Sequence, residues 1–324
     1  MLKIDKIKIV SNIQNISNIN EDKFTTIIKD GCITEQKFTS LSPYLLYIEA
    51  DLREQELVIE FSSKILHNNY LHSINRLNIR ECLHNINVLG ICNLDIDSII
   101  EDGSVVKVDV CQDIDYSDCK SLCKSIRSSI SNYRAYTAKL NGTNLTIDKT
   151  ANTKSLKRRI IIYDKAKELK KATNRRFIES LTDKQAVLDY FNGKIRFEMN
   201  LNSKEQIRQC LKVTDTSIDA VLNSEADPIW DFLSEALDDG EISSRSRSLT
   251  EFKNILLLQY CNNDLAKVEA VVRKHCSPNT HISQVMKPYR ELLSKAAEQP
   301  SSSVKDTLRK LLTEIVILIG IVSF

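Results

Sequence analysis

With 324 residues, 42% of them hydrophobic and 27% charged, the chain has the composition of a globular protein, large enough for one big domain or two ordinary ones. Nine cysteines without regular spacing exclude the disulfide framework of a small secreted protein and read as reduced residues in a cytoplasmic chain. The net charge of +2 conceals an asymmetry: residues 157–176 hold nine Lys or Arg against two acids, whereas 215–241 holds nine acids and no Lys or Arg. A polyanion is therefore expected on one face and kept off another.

The opening MLKIDKIKIV alternates charged and aliphatic residues and lacks the continuous apolar core of a signal peptide, so it reads as a first strand. FTTIIKD, YLLYIEA and ELVIEF follow as further strands, separated by turn-forming clusters, and an antiparallel sheet is the simplest arrangement for them. In the last, Leu57, Ile59 and Phe61 share one face, leaving Glu60 on the other. Residues 64–89 have the spacing of one helix or two short ones. Within them His67 and His72 admit a metal site, against the more ordinary reading of a polar loop or helix start. Cys111, Cys119 and Cys123 lack a histidine close enough in sequence to complete a zinc pattern and are expected as small buried hydrophobes.

SVVKVDVCQ at 104–112 alternates so that Val106, Val108 and Val110 point to a core and Lys107, Asp109 and Cys111 point away. Residues 117–136 read as an amphipathic helix on Leu122, Ile126, Ile130 and Tyr133, capped by Asp115 or Ser117. Asn141-Gly142 signals a hairpin turn. The strand at 158–164 puts Arg159, Ile161 and Tyr163 on one face and Ile160 and Ile162 on the other, and Lys165 onward reads as a helix or polar turn. In KIRFEMNL, Ile195, Phe197, Met199 and Leu201 form the buried side, with Lys194, Arg196, Glu198 and Asn200 opposite. Beyond this the pattern turns helical, with breaks at Asp227-Pro228, at 243–248 and at 277–280. Helices are expected at 250–273 and 280–297, which admit a helix-turn-helix or a plain bundle. The uncharged run Ile315–Phe324 is ten residues long, whereas a spanning helix needs ~20, so no membrane span is expected and the tail is left as a docking helix, an interfacial anchor or core.

Tyr163 beside a carboxylate and a dense run of cations suggests attack of a phenol on a phosphodiester. If the four strands carrying Glu60, Asp109, Tyr163 and Glu198 share one sheet, their carboxylates, with Glu168 just beyond the tyrosine, converge near one phenol. Hard oxygen ligands of that kind suit Mg2+ or Mn2+. Lys107, Arg159, Lys165 and Arg196 would then neutralise charge building on the phosphate. Taken singly, each of these residues reads better as an ordinary polar group on the open face of an antiparallel sheet, and it is the coincidence of four strands that favours a site.

RRIIIYDKAKE at 158–168 resembles the tyrosine motif Y-x-K-x-x-E of phage and plasmid rolling-circle replication initiators, here Tyr163, Lys165 and Glu168. VVKVDV resembles their upstream R-x-D strand, with Asp109 as the acid and Lys107 replacing the arginine. IRFEMNL resembles their R-F-E strand, Arg196 to Glu198, and VIEFSSKIL at 58–66 resembles a preceding segment of the filamentous-phage gene II initiator. Order and spacing match over about residues 55–205, so the chain resembles the gene II/X family, related to Rep_trans plasmid initiators. The resemblance implies a site- and strand-specific nickase that holds a 5′ end on Tyr163 and leaves a 3′ hydroxyl for polymerase. Lys165 would assist in catalysis, and Asp109, Glu168, Glu198 and Glu60 would serve Mg2+ or Mn2+. Lys107, Lys157, Arg158, Arg159, Lys170, Lys171, Arg175, Arg176 and Arg196 would contact DNA. The implied partners are origin DNA, single-stranded or supercoiled, with a host helicase, a single-strand binding protein and a DNA polymerase; a homodimer is compatible with the resemblance.

The expected fold is α+β: an antiparallel-sheet catalytic domain with flanking helices at 1–205, a helical accessory or DNA-binding region at 206–298, and a linker with an apolar tail at 299–324. Two other functions fit the same residues. One is a metal-dependent nuclease in which water attacks; the other is a non-catalytic origin-binding initiator or repressor. No His-hydrophobe-His motif supports the other known nickase chemistry.

Overall fold

A computed structural model describes residues 1–130, 135–150, 157–237, 248–261, 264–277, 279–297 and 304–319. The strands are β1 Ile4–Asn12, β2 Ile16–Ser17, β3 Thr25–Lys29, β4 Cys32–Ser40, β5 Leu46–Asp51, β6 Glu56–Ser62, β7 Asn93–Leu94, β8 Ser104–Asp115, β9 Tyr136–Asn141, β10 Asn144–Lys149, β11 Arg158–Asp164 and β12 Lys194–Leu201. The helices are α1 Ile79–Val88, α2 Ile96–Asp102, α3 Cys119–Ser128, α4 Lys165–Leu169, α5 Arg175–Ser180, α6 Lys184–Phe191, α7 Lys204–Leu211, α8 Ile218–Leu222, α9 Pro228–Ala236, α10 Leu249–Tyr260, α11 Leu265–His275, α12 Ile282–Ala297 and α13 Val304–Ile319, with a 3-10 helix at Ser63–His72. The fold is α+β, as expected.

Ten strands form one antiparallel sheet in the order β3-β4-β5-β6-β1-β8-β12-β11-β10-β9, and β2 pairs with β7 apart from it. The order contains a repeat. On one side of the centre β1 is followed by the meander β3 to β6, whose last strand returns beside it. On the other, β8 is followed by β9 to β12 in the same way. Each half is therefore a central strand plus a four-strand meander, and the two halves meet along β1 and β8.

One face of the sheet is apolar because the strands alternate in phase across their registers. Ile7, Ile9, Leu57, Ile59, Phe61, Val108, Ile160, Ile162, Phe197 and Leu201 are all buried in a single core. Helices α3, α7, α8, α9 and α13 pack against these strands, and Ile207, Leu211, Val221, Phe232, Leu233, Leu308 and Leu312 belong to the same core. The expected division at 205 thus falls inside one continuous core. The part of the apolar tail that is described, α13, docks on it, with Gln112 Nε2 donating to the Leu312 carbonyl at 2.8 Å. The expected linker at 299–303 lies outside the described residues, as does nearly all of 243–248. A separate small core, Leu258, Cys261, Val268, Val272, Met286 and Tyr289, holds α10, α11 and α12 together. The expected single helix at 250–273 is two, because Asp264 caps a new one by accepting from Ala266 and Lys267 amides.

On the opposite face, the 3-10 helix and α4 to α6 build a lid over one end of β11 and β12, packed around Tyr70, Leu169, Phe177, Leu181, Val187 and Phe191. Elsewhere on that face the described strands present polar residues such as Lys107, Arg159 and Asn200.

Several local expectations shift. Cys32–Ser40 reads as a turn region by composition, yet it forms β4, held by pairing with β3 and β5 on both sides. Val106 does not face the core. The register between β1 and β8 slips between Lys8 and Ile9, so Val105 takes the buried position. The α3 cap is Asp118, which accepts from the Ser121 amide, because the strand runs on to Asp115. Tyr133 lies outside the described residues, and Tyr136 opens β9. Gly142, at φ 64°, supplies the left-handed turn that Asn141-Gly142 signals.

Candidate active site

Tyr163 sits at the end of β11, opposite Arg196 of β12, with Ile161 opposite Glu198 and Arg159 opposite Asn200. The chain leaves β11 at Asp164, whose side chain accepts from the Lys167 amide and starts α4. That immediate turn from strand to helix brings Lys165 and Glu168 back over the tyrosine. The Tyr163 hydroxyl donates to Glu198 Oε2 at 2.8 Å, and the Lys165 ammonium donates to the same phenol oxygen at 3.5 Å. Lys165 also pairs with Glu168 at 3.3 Å and approaches Asp5 at 3.9 Å.

Beneath the lid lies a buried ion network. Arg196, fully buried, is held in a fork by Asp113, Nε to Oδ1 and Nη2 to Oδ2 both at 2.7 Å, and its Nη1 donates to Asp5. Glu168 accepts from Asn174 Nδ2 at 2.6 Å, and Lys64 donates to Asn174 Oδ1 at 2.7 Å. Asp5, Asp113 and Glu168 are balanced by Arg196, Lys165 and Lys64. Burial works against the charge on each acid. The Arg196 guanidinium nevertheless holds Asp113 below the usual carboxylate range, Lys165 and Arg196 do the same for Asp5, and Lys165 with Asn174 does so for Glu168. Burial and Arg196 push Lys165 toward neutrality, but the oxygens of Tyr163, Tyr70 and Asp5 more than offset this and keep it an ammonium.

Glu198 stands outside that balance. Among the described residues it has no ion pair, and its partners are Tyr163 and, at 3.4 Å, the Asn200 amide. Burial, with Asp5 and Asp109 nearby, pushes its carboxyl up to about 7. Burial raises Asp109 as well, against the 2.8 Å bond that it accepts from Asn200 Nδ2. Burial likewise raises the Tyr163 phenol well above its ordinary value, with Lys165 pulling it down and Glu198 adding to the rise. The result is a protonated phenol hydrogen-bonded to a carboxyl group raised to about 7, an arrangement chemically able to serve as nucleophile and base.

Of the expected residues, Tyr163, Lys165, Glu168 and Glu198 come together, and Asp109 joins them through Asn200. Glu60 does not: it pairs with Lys6 and lies 3.5 Å from Lys107, on β6, three strands from β12. Arg196 is committed to Asp113 and Asp5 and is closed to DNA, which corrects its expected role. Lys107, Lys157, Arg158 and Arg159 line a cavity of about 650 Å3 beside Asp109, Asp148 and Asn200, although the Arg158 guanidinium is turned to Gln209 of α7 on the helix-covered side. Lys170, Lys171, Arg175 and Arg176 are exposed on the lid. His67 packs edge-on against Tyr44 at 5.1 Å.

Among the described residues no three acids, histidines or cysteines form a ready cation cage. Asp109 and Glu198 nonetheless converge on one amide, each with its carboxylate destabilised by burial. Two such carboxylates, with water completing the shell, are donors of the kind Mg2+ and Mn2+ take. The oxygens of Glu168 are turned to Asn174 and Lys165, and Glu60 lies elsewhere, so neither fits that set.

Asp5 and Asp113 escaped the sequence reading, which placed Asn200 on the polar face without giving it a role. Asp5 had a visible signal: the apolar positions Leu2 and Ile4 change phase to Ile7 and Ile9, and the extra residue forms a bulge that turns Asp5 onto the polar face.

No family model and no curated protein matches the chain. A solved structure of a rolling circle replication initiator protein from Geobacillus stearothermophilus is similar at 13% identity and a TM-score of 0.29, over 73% of this chain and 97% of that one. A superposition that loose assigns neither fold nor function.

Proposed function

We propose that the chain is a DNA nickase of the rolling-circle initiation type, with Tyr163 as nucleophile. The observation that carries the reading is the hydrogen bond from the Tyr163 hydroxyl to Glu198 Oε2 at 2.8 Å, with the Lys165 ammonium on the same oxygen and a cation-lined cavity alongside. Glu198, ionised, takes the phenol proton as Tyr163 Oη bonds to phosphorus, and the bond from phosphorus to the 3′ oxygen breaks. The 3′ oxygen leaves as a hydroxyl with a proton from water, and the 5′ end stays on the tyrosine as a phosphodiester. Lys165 stabilises the phenolate character of the attacking oxygen in a buried setting where a fixed charge acts strongly. Rejoining is the reverse: a 3′ hydroxyl attacks the phosphotyrosine and Glu198 returns its proton to the phenolate. Asp109 and Glu198 would hold Mg2+ or Mn2+, which would supply charge to the phosphate oxygens. Arg196 acts as a positioning residue that fixes Asp5 under Lys165.

The test is nicking of supercoiled DNA from the replicon encoding the chain, in Mn2+, by wild type and Tyr163→Phe. Loss of nicking in the variant, with DNA binding retained, supports the reading. Nicking by Tyr163→Phe at the wild-type rate moves the chemistry to water, and binding without nicking by either protein leaves a regulator.

A further inference from the structure

Asn174 is buried in the lid at 2% exposure, and its amide faces two opposite charges. Oδ1 accepts from the Lys64 ammonium at 2.7 Å, while Nδ2 donates to Glu168 Oε1 at 2.6 Å and to the Glu168 carbonyl at 2.8 Å. The orientation is forced, because turning the amide over would set its nitrogen against an ammonium and its oxygen against a carboxylate. The bond to the carbonyl matters for α4. That helix has five residues, too few to hold itself, and Asn174 takes up one of the carbonyls left open at its end. Asn174, more than the helix, therefore fixes Glu168.

With Oε1 held, Glu168 Oε2 faces the Lys165 ammonium at 3.3 Å and has no hydrogen-bond partner of its own among the described residues. Lys165 needs that carboxylate. Its side chain is 3% exposed, and its one other acid among the described residues is Asp5, at 3.9 Å and shared with Arg196. The rings of Tyr70 and Tyr163 stand beside it, with centroids 5.4 and 5.5 Å from the ammonium. Lys64 ties this set to the other half of the sheet. It follows β6, the last strand of the first meander, and its ammonium lies 5.7 Å from the Phe177 ring centroid in the lid. Next to it, Ser63 Oγ donates to Asp5 Oδ1 at 3.3 Å. Contacts thus run from the first half of the sheet to the phenol through Lys64, Asn174, Glu168 and Lys165.

We infer that Asn174 and Lys64 are positioning residues: they hold Glu168 as the counter-ion that keeps the Lys165 ammonium on the Tyr163 oxygen, and they latch the lid to the first half of the sheet. The inference deepens the nickase reading and rests on it for the role of Lys165. It takes Glu168 out of the metal set that the sequence motif implied and gives it a task within the lid.

The test uses the full chain as wild type, Asn174→Ala and Lys64→Met, each also combined with Lys165→Met. Acetylation of Lys165 by acetic anhydride is followed without DNA by peptide mass spectrometry, with the exposed Lys170 as internal reference. Asn174→Ala should raise the ratio of Lys165 to Lys170 labelling by about tenfold or more, since a hydrogen bond to a charged group is lost. On supercoiled DNA from the replicon encoding the chain, in Mn2+, Asn174→Ala should slow nicking by about tenfold or more and should add nothing to the loss already caused by Lys165→Met. A merely structural loosening would slow nicking in both backgrounds alike. Mn2+ affinity, read by electron paramagnetic resonance, should fall by about tenfold or more in Asp109→Asn and stay within about twofold of wild type in Glu168→Gln. Lys64→Met, at a half-buried position, gives the same readings if Asn174→Ala folds poorly, and the labelling ratio decides if residual nicking is too slow to follow. Unchanged Lys165 labelling, an equal loss of nicking in the two backgrounds, or a loss of Mn2+ affinity of about tenfold in Glu168→Gln would each overturn the inference. Labelling and Mn2+ affinity as expected without nicking by wild type would sink the nickase reading and keep the latch; nicking with unaltered labelling in the variants would do the reverse.

Discussion

Tyr47 on β5 and Tyr163 on β11 occupy equivalent strands of the two sheet halves. Each lies on the polar face, donates its hydroxyl to a carboxylate and has a lysine over its ring: Glu49 at 2.6 Å and Lys8 at 5.8 Å for Tyr47, Glu198 at 2.8 Å and Lys165 at 5.5 Å for Tyr163. Their surroundings separate them. Around Tyr47, Lys37 bridges Glu35 and Glu49 at 2.5 and 3.0 Å and Arg53 adds to Glu35; Glu35 is buried, but Lys37 and Glu49 are only half-buried. Burial and Glu49 push the Tyr47 phenol up to about 12, against a smaller pull from Lys37. Around Tyr163 the chain turns straight into α4, and the lid buries a balanced set of ions that leaves Glu198 alone near neutrality. The same strand placement thus yields a surface ion cluster in one half and, in the other, a buried phenol on a carboxylate, the proposed nucleophile and base. The difference is the short helical layer that follows β11.

The largest effect expected from breaking this asymmetry is on chemistry. Tyr163→Phe should lower covalent DNA attachment at least about a thousandfold, roughly 4 kcal/mol of barrier, while Tyr47→Phe leaves it unchanged; quantitation of protein-DNA adduct on denaturing gels decides. Next comes the ion network. Arg196→Met leaves Asp113 buried and unpaired and takes one of two cations from Asp5, and should cost about 3–5 kcal/mol in urea unfolding, whereas Lys37→Met in the uncovered cluster should cost less.

A smaller effect concerns pH. Glu198 must be ionised to take the phenol proton, so the nicking rate should climb with pH until that carboxyl is ionised and level above it, and Glu198→Gln should be slow and flat. Stability runs the other way. A carboxyl raised from 4.5 to about 7 contributes stability that is complete below pH 4.5 and lost as pH rises through 7. Glu198→Gln should therefore gain on the order of 2 kcal/mol relative to wild type between pH 5 and 8. The smallest effect is in the lid, where the buried Tyr70 hydroxyl has no hydrogen-bond partner among the described residues. Tyr70→Phe should be neutral or stabilising by up to about 1 kcal/mol, and a loss above that would show that the hydroxyl is used.

Much of the sheet was legible because its strands alternate strictly. Ile160 and Ile162 against Tyr163, and Phe197 and Met199 against Glu198, fixed which face would carry chemistry before the strands were known to be neighbours. What alternation cannot report is phase slippage and burial from the far side. The bulge at Asp5 put an unanticipated acid under Arg196, and the lid turned Arg196 from an expected DNA contact into a buried tie. Glu60 had the right alternation and the wrong address, because strand order depends on the duplicated meander and not on any local pattern. The expected division at 205 missed that Ile207 and Phe232 close the sheet's own core, since an amphipathic helix does not name the surface that it covers.

The most direct test of the account is to trap the covalent intermediate on DNA from the replicon encoding the chain, digest the protein and locate the nucleotide-bearing peptide by mass spectrometry. The account predicts one modified peptide, spanning β11 and α4, with the DNA phosphate on Tyr163. A nucleotide on Tyr47 or any other residue, or efficient nicking with no modified peptide at all, would contradict it.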